Sequence, residues 1–182
     1  MLETIPMVIA YYSDGSAALA ADYYMDERVA QAAAGSYVAA PMVLDRTVRI
    51  RRAVAWAADP MFDGGDFSSR LRQVVQSEVA RPFRDTIRGN RLADTEAIGW
   101  RRITGGHGCG FCKMLADRGA VYMKETAFFA SHDSCDCSSQ PVFRGGDVGE
   151  EASVIQYMAS KRRRTEAEKA EIRYWVAYYE GL

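Results

Sequence analysis

The sequence predicts an α+β chain. It divides into a mainly helical N-terminal body over 1–98, a small Cys/His-rich β subdomain of zinc-knuckle type over 99–147, and a linker with an amphipathic C-terminal helix over 148–182. Three observations predict this. Residues of high helix propensity at helical apolar spacing dominate the first half. All four cysteines then fall between 109 and 137, among glycines and short β-prone pieces. A capped, aromatic-rich helical pattern closes the sequence.

The first helix is expected from Ile5 to about Arg28, through MVIAYYSDGSAALAADYYMDERV, with Gly15 as its weak point. Gly35 and Pro41 punctuate the next stretch, AAAGSYVAAP. Asp45 is placed to cap a second helix carrying Val48, Ile50, Val54, Ala55 and Trp56, which Pro60 stops. MFDGGDFSS reads as a loop, and Ser68 or Ser69 as the cap of a third helix. Leu71, Val75, Val79, Phe83 and Ile87 recur four apart there and form one buried stripe, with Pro82 expected to kink the helix.

On another flank Arg81, Arg84, Arg88 and Arg91 make a guanidinium ridge. A solvated face is the plainer reading. A DNA-binding surface, joined by Arg101 and Arg102, is the more specific one.

Beyond Trp100 the pieces RRITGGHGCGFC, RGAVYM and SSQPVFRGG read as two or three strands folded around the cysteines. A basic run, Lys161 to Arg164, precedes the last helix. Thr165 and Glu168 have the spacing of a capping box, and Ile172, Trp175, Val176 and Tyr179 share a face. So aromatic a face needs burial, on the body or on a partner.

The 182 residues are 48% hydrophobic and 26% charged, as in an ordinary globular protein, and a net charge of −1 with pI near 6.1 gives no global attraction to nucleic acid or anionic membrane. Glu3 and the polar break at Tyr11 to Ser13 argue against a signal peptide, and no apolar window is long enough for a membrane span. A cytosolic site of synthesis is expected, where clustered cysteines more often mean metal or redox chemistry than disulfides.

Cys109-x-x-Cys112 and His132-x-x-Cys135-x-Cys137, with His107 just upstream, supply more candidates than the four positions of a tetrahedral zinc site need. Cys109, Cys112, Cys135 and Cys137 are the simplest closed set, and His132 can replace one of the last two. Disulfides and unliganded thiols are the alternatives. For catalysis, the zinc-deaminase order fails after His107, H-E-x-x-H is absent, and the glycines around Cys109 speak against a thioredoxin-like C-x-x-C opening a helix. A nucleophilic pair of Cys109 with His132 remains as a hydrolase reading.

The ordered pattern of Gly99-Trp100, Cys109-x-x-Cys112, Arg118 to Tyr122, His132-x-x-Cys135-x-Cys137 and Pro141-Val142-Phe143 resembles the Mu gpF-like (MuF) minor head proteins of tailed bacteriophages, in the versions carried by phages of actinobacteria. The resemblance is specific over about 98–143, and looser over the helices upstream. His132 is followed by Asp133 where those proteins have proline, and large C-terminal additions of some members are missing.

The resemblance implies a minor capsid component of the phage head, assembled in the host cytoplasm beside the portal and the major capsid protein, acting in head assembly or DNA packaging and ejection. The partners expected are those proteins, packaged DNA or further copies of itself, and no membrane. Some related sequences carry the label of capsid maturation protease, so three functions compete: a non-enzymatic head protein with a structural zinc, a maturation protease, and a DNA-binding virion module.

Overall fold

The computed structural model describes residues 3–59, 61, 64–105, 108–120, 122–123, 137–146 and 165–181. In chain order they form α1 (Thr4–Ala30), α2 (Thr47–Ala58), α3 (Phe67–Ala93), β1 (Ala97–Ile103), α4 (Gly110–Ala116), β2 (Tyr122–Met123), β3 (Ser138–Phe143) and α5 (Glu166–Glu180). The expected α+β class holds. β1 is the middle strand of an antiparallel sheet ordered β2-β1-β3.

α1 is one unbroken helix, because Gly15 lies on its outer side, where a Cβ would meet nothing. Its buried residues, Pro6, Ile9, Ser13, Ala17, Ala20, Tyr24 and Arg28, recur at three and four. The small ones let α3 lie close alongside. Ile9 packs with Ile50, Val54, Ala57 and Val74 at one end of the body, and Tyr24 with Ala20, Ile87, Ala97 and Phe143 at the other. The second cluster joins helices to sheet. β1 therefore crosses the expected 98/99 division, and Ala97 and Phe143 share a core with α1 and α3.

α3 runs continuously through Pro82. Its cap is Asp66, whose carboxylate accepts from the Ser69 backbone N–H at 3.0 Å, rather than either serine. Its deepest stripe also differs from the apolar one expected. Val74, Glu78, Pro82, Thr86 and Asn90 are buried, while Leu71, Val75, Val79 and Phe83 are half-buried one position away.

Three of those buried residues are polar because they satisfy other chain segments. The Asn90 side chain donates to the Ala40 carbonyl and accepts from the Ala40 N–H and the Tyr37 hydroxyl, and Thr86 accepts from the Met42 N–H. A stretch without secondary structure thus has its backbone groups paired. Gly89 makes room for it: a Cβ there would overlap the Met42 side chain.

Glu78 is 1% exposed and accepts from Arg49 Nε at 2.8 Å and Arg46 Nη1 at 3.0 Å, while Arg46 also reaches the Ser13 hydroxyl. A second buried pair joins Arg28 to Asp94, with the Tyr24 hydroxyl donating to the same carboxylate. Burial and that carboxylate push the Tyr24 phenol up, so it stays a donor at all working pH values.

Candidate functional site

The cysteines meet where α4, β1 and β3 converge. Cys109 is the N-cap residue of α4 and Cys112 lies in its first turn, so the C-x-x-C does open a helix, contrary to the turn its flanking glycines suggest. Among the described residues the sheet beside it is antiparallel, unlike the parallel βαβ setting of a thioredoxin-like site. Cys137 immediately precedes β3. Cys112 and Cys137 are 1% and 0% exposed and pack together, with Cys109 and Phe111 against them.

Among the described residues no disulfide joins these three cysteines, and no group of three His, Cys, Asp or Glu stands at metal-ligating spacing. His107, His132 and Cys135 lie outside the described residues.

Between the two buried sulfurs stands Arg102. On β1 it pairs with Ser139 of β3, and its side chain lies on the side of the sheet that carries α4. Nη1 is 3.0 Å from Cys137 Sγ and 3.9 Å from Cys112 Sγ, and the residue is 5% exposed. Arg84 of α3 adds a bond from Nε to the Cys137 carbonyl at 3.2 Å.

Of the six arginines considered for nucleic acid, these two therefore face inward on the thiol cluster. Arg91 is also buried, its guanidinium 5.4 Å from the centre of the Trp100 ring, and burial together with the Arg88 charge brings its pKa down to about 10. It remains a cation at neutral pH. Arg101 is half-buried and donates to the Gln140 side chain, and Arg81 is half-buried with an Nε lacking a hydrogen-bond partner among the described residues. Arg88 is exposed. The helical spacing of the ridge holds, but it faces the sheet rather than solvent over much of its length.

The terminal helix splits its apolar residues between two sides. Ile172, Val176 and Tyr179 are half-buried, on the side that packs against α4, with the Tyr179 hydroxyl donating to Asp117 and Lys113 Nζ to the Tyr179 carbonyl at 3.4 Å. That carboxylate, with some burial, raises the Tyr179 phenol to about 12. Close approach depends on Gly110, where a Cβ would lie 2.4 Å from the Val176 carbonyl oxygen. Trp175, grouped with them by sequence, falls on the outer side beside Tyr174 and Tyr178. These three are 40%, 65% and 51% exposed, and their rings meet edge to face 5.4 and 5.9 Å apart.

A groove of about 560 Å3 between α1 and α3 runs past Tyr12, Val79 and Phe83 to Arg84 and Cys137. Its walls are largely apolar and bring no set of titratable groups together, so the chemistry of this region belongs to the thiol cluster. No described helix is long and apolar enough to cross a membrane.

A helical body, a small antiparallel sheet and a cysteine-bearing helix covered by an aromatic terminal helix define an α+β protein whose chemistry is concentrated in a buried thiol–guanidinium cluster. The family model described as VG15 protein matches residues 1–162, and the chain belongs to that phage-associated family. No curated protein matches it, and no solved structure does.

Proposed function

We propose that the chain is a minor capsid protein of a tailed bacteriophage, of Mu gpF-like type, acting in head assembly or DNA packaging and ejection through protein–protein contacts with the portal or the major capsid protein. Membership of a phage-associated family supports a virion role. The observation that carries the contact reading is the outer face of α5. Tyr174, Trp175 and Tyr178 stand together in water on a helix whose opposite side is already engaged.

Aromatic side chains with a polar tip dominate the energetics of protein interfaces, because they bury a large area for few rotors. Such a ladder on a capped helix has the form of an anchor that enters a partner's groove.

The test is incorporation into particles. Trp175→Ala combined with Tyr178→Ala is expected to deplete the chain from assembled heads, while circular dichroism and the melting temperature of the isolated protein stay at wild-type values. Normal incorporation of that variant would sink the reading.

A further inference from the structure

We propose that the aromatic ladder of α5 docks in the groove between α1 and α3 of a second copy of the chain, so that copies associate head to tail. The inference rests on the reading of α5 as an anchor and names the groove that takes it.

The groove past Tyr12 and Phe83 does not end at Val75 and Gln76. Those two residues also line a second hollow, which runs on past Leu71 to Phe67 at the start of α3. Together the hollows follow α3 from Phe67 to Arg84, about 26 Å of helix. With 15 residues, α5 is about 22 Å long.

The stripe of Leu71, Val75, Val79 and Phe83 recurs every four residues yet stays half-buried, since Val74, Glu78, Pro82 and Thr86 take the deeper position in each turn. Tyr12, 59% exposed, stands on the α1 wall. A helix laid along this groove hides apolar surface that the chain alone leaves in water.

Charge selects the occupant. Among the described residues, the charged side chains lining the two hollows are Arg72 and Arg84, both cations. On α5, Glu171 precedes Tyr174, Trp175 and Tyr178 by three, four and seven positions and so shares their exposed face. The helix as a whole sets four glutamates against Lys169 and Arg173. An acidic helix with an aromatic face thus matches an apolar groove rimmed by arginine. One chain carries both halves of this contact. Because the halves differ, their pairing joins copies head to tail rather than about a twofold axis.

The experiment is sedimentation velocity of the full chain over a range of concentrations, where the wild-type sedimentation coefficient is expected to rise with concentration. Trp175→Ala with Tyr178→Ala on the ladder, and Tyr12→Ala with Gln76→Glu in the groove, should each weaken association at least about tenfold. Mixed in equal amounts, the two variants should form a heterodimer, because one keeps the groove and the other keeps the ladder.

A wild type that is monomeric at every concentration, a groove variant that associates as wild type does, or a mixture that stays monomeric overturns the inference. If the wild type is monomeric and the ladder variant is nevertheless depleted from heads, the ladder's groove belongs to another head protein and only the self-contact falls. Should the groove variant lose its helical circular dichroism, Arg72→Glu on the exposed rim takes its place with the same expectation.

Discussion

Glu78 anchors a buried cluster of charges in the helical body. It is buried against Arg46, itself largely enclosed, and against Arg49, whose side chain is 54% exposed. Removing the carboxylate strands the Arg46 charge. Glu78→Ala is therefore expected to cost about 3–5 kcal/mol in urea unfolding. Arg49→Ala, which removes only an open-sided partner, should cost under about 1 kcal/mol.

Asp66 gives a pH signature of the opposite, surface kind. Hydrogen bonds from the Ser69 N–H and the Ser68 side chain hold its carboxyl below the ordinary aspartate value. The folded state thus prefers the charged form. Its contribution is complete above the unfolded value near 3.9 and is lost as pH falls through the lowered folded value. Thermal melts of wild type and Asp66→Ala should differ at neutral pH, and the gap should narrow below about pH 4.

Neither residue's role is legible in the sequence. Ser68 and Ser69 look like equally good caps, and Glu78, Thr86 and Asn90 are invisible to a search for apolar periodicity. Each is buried to satisfy a distant group, a relation that only the folded chain contains.

At the scale of elements, the long ones can be read and the short ones cannot. α1, α2, α3 and α5 lie close to their expected limits, and the Thr165–Glu168 capping box is present with both bonds. Many turns of repeated spacing average out local exceptions. α4 has seven residues and begins with glycine, so its local signal is that of a turn, and packing between the sheet and α5 makes it a helix.

That packing is fragile at one atom's breadth. Gly110→Ala places a methyl against the Val176 carbonyl, a backbone group that cannot swing aside. Displacement of α5 is expected, read as faster proteolytic removal of the C-terminal helix with the melting transition of the body preserved. Loss of the body's transition along with the helix would contradict it.

For the whole molecule, body and sheet share a core, whereas α5 rests chiefly on α4. The sequence division into body and β subdomain rests on composition, and composition says nothing about which faces share a core. Ala97 and Phe143, on either side of the thiol cluster in the chain, meet Tyr24 and Ile87. Truncation after residue 164 should accordingly leave calorimetric unfolding of the remainder within a few degrees of wild type. A collapse in melting temperature would show α5 to be part of the fold rather than its attachment.

The reach of sequence reasoning to the candidate site is similarly uneven. Clustering of the cysteines can be read from spacing alone. The entry of Arg102 cannot, because Arg101 and Arg102 are identical neighbours whose opposite directions are set by strand register.

One detail at the sheet's margin bears on crowding. The Gln31 amide, at the end of α1, donates to the Pro141 carbonyl at 3.0 Å and accepts from the Phe143 N–H at 3.1 Å, standing in for a neighbouring strand along β3. An open strand edge is a template on which another chain can lay itself down. Wherever copies of the chain are crowded together, such templating would compete with specific association. By filling the two positions itself, Gln31 closes that part of the β3 edge and leaves side chains, not backbone, to make contacts there.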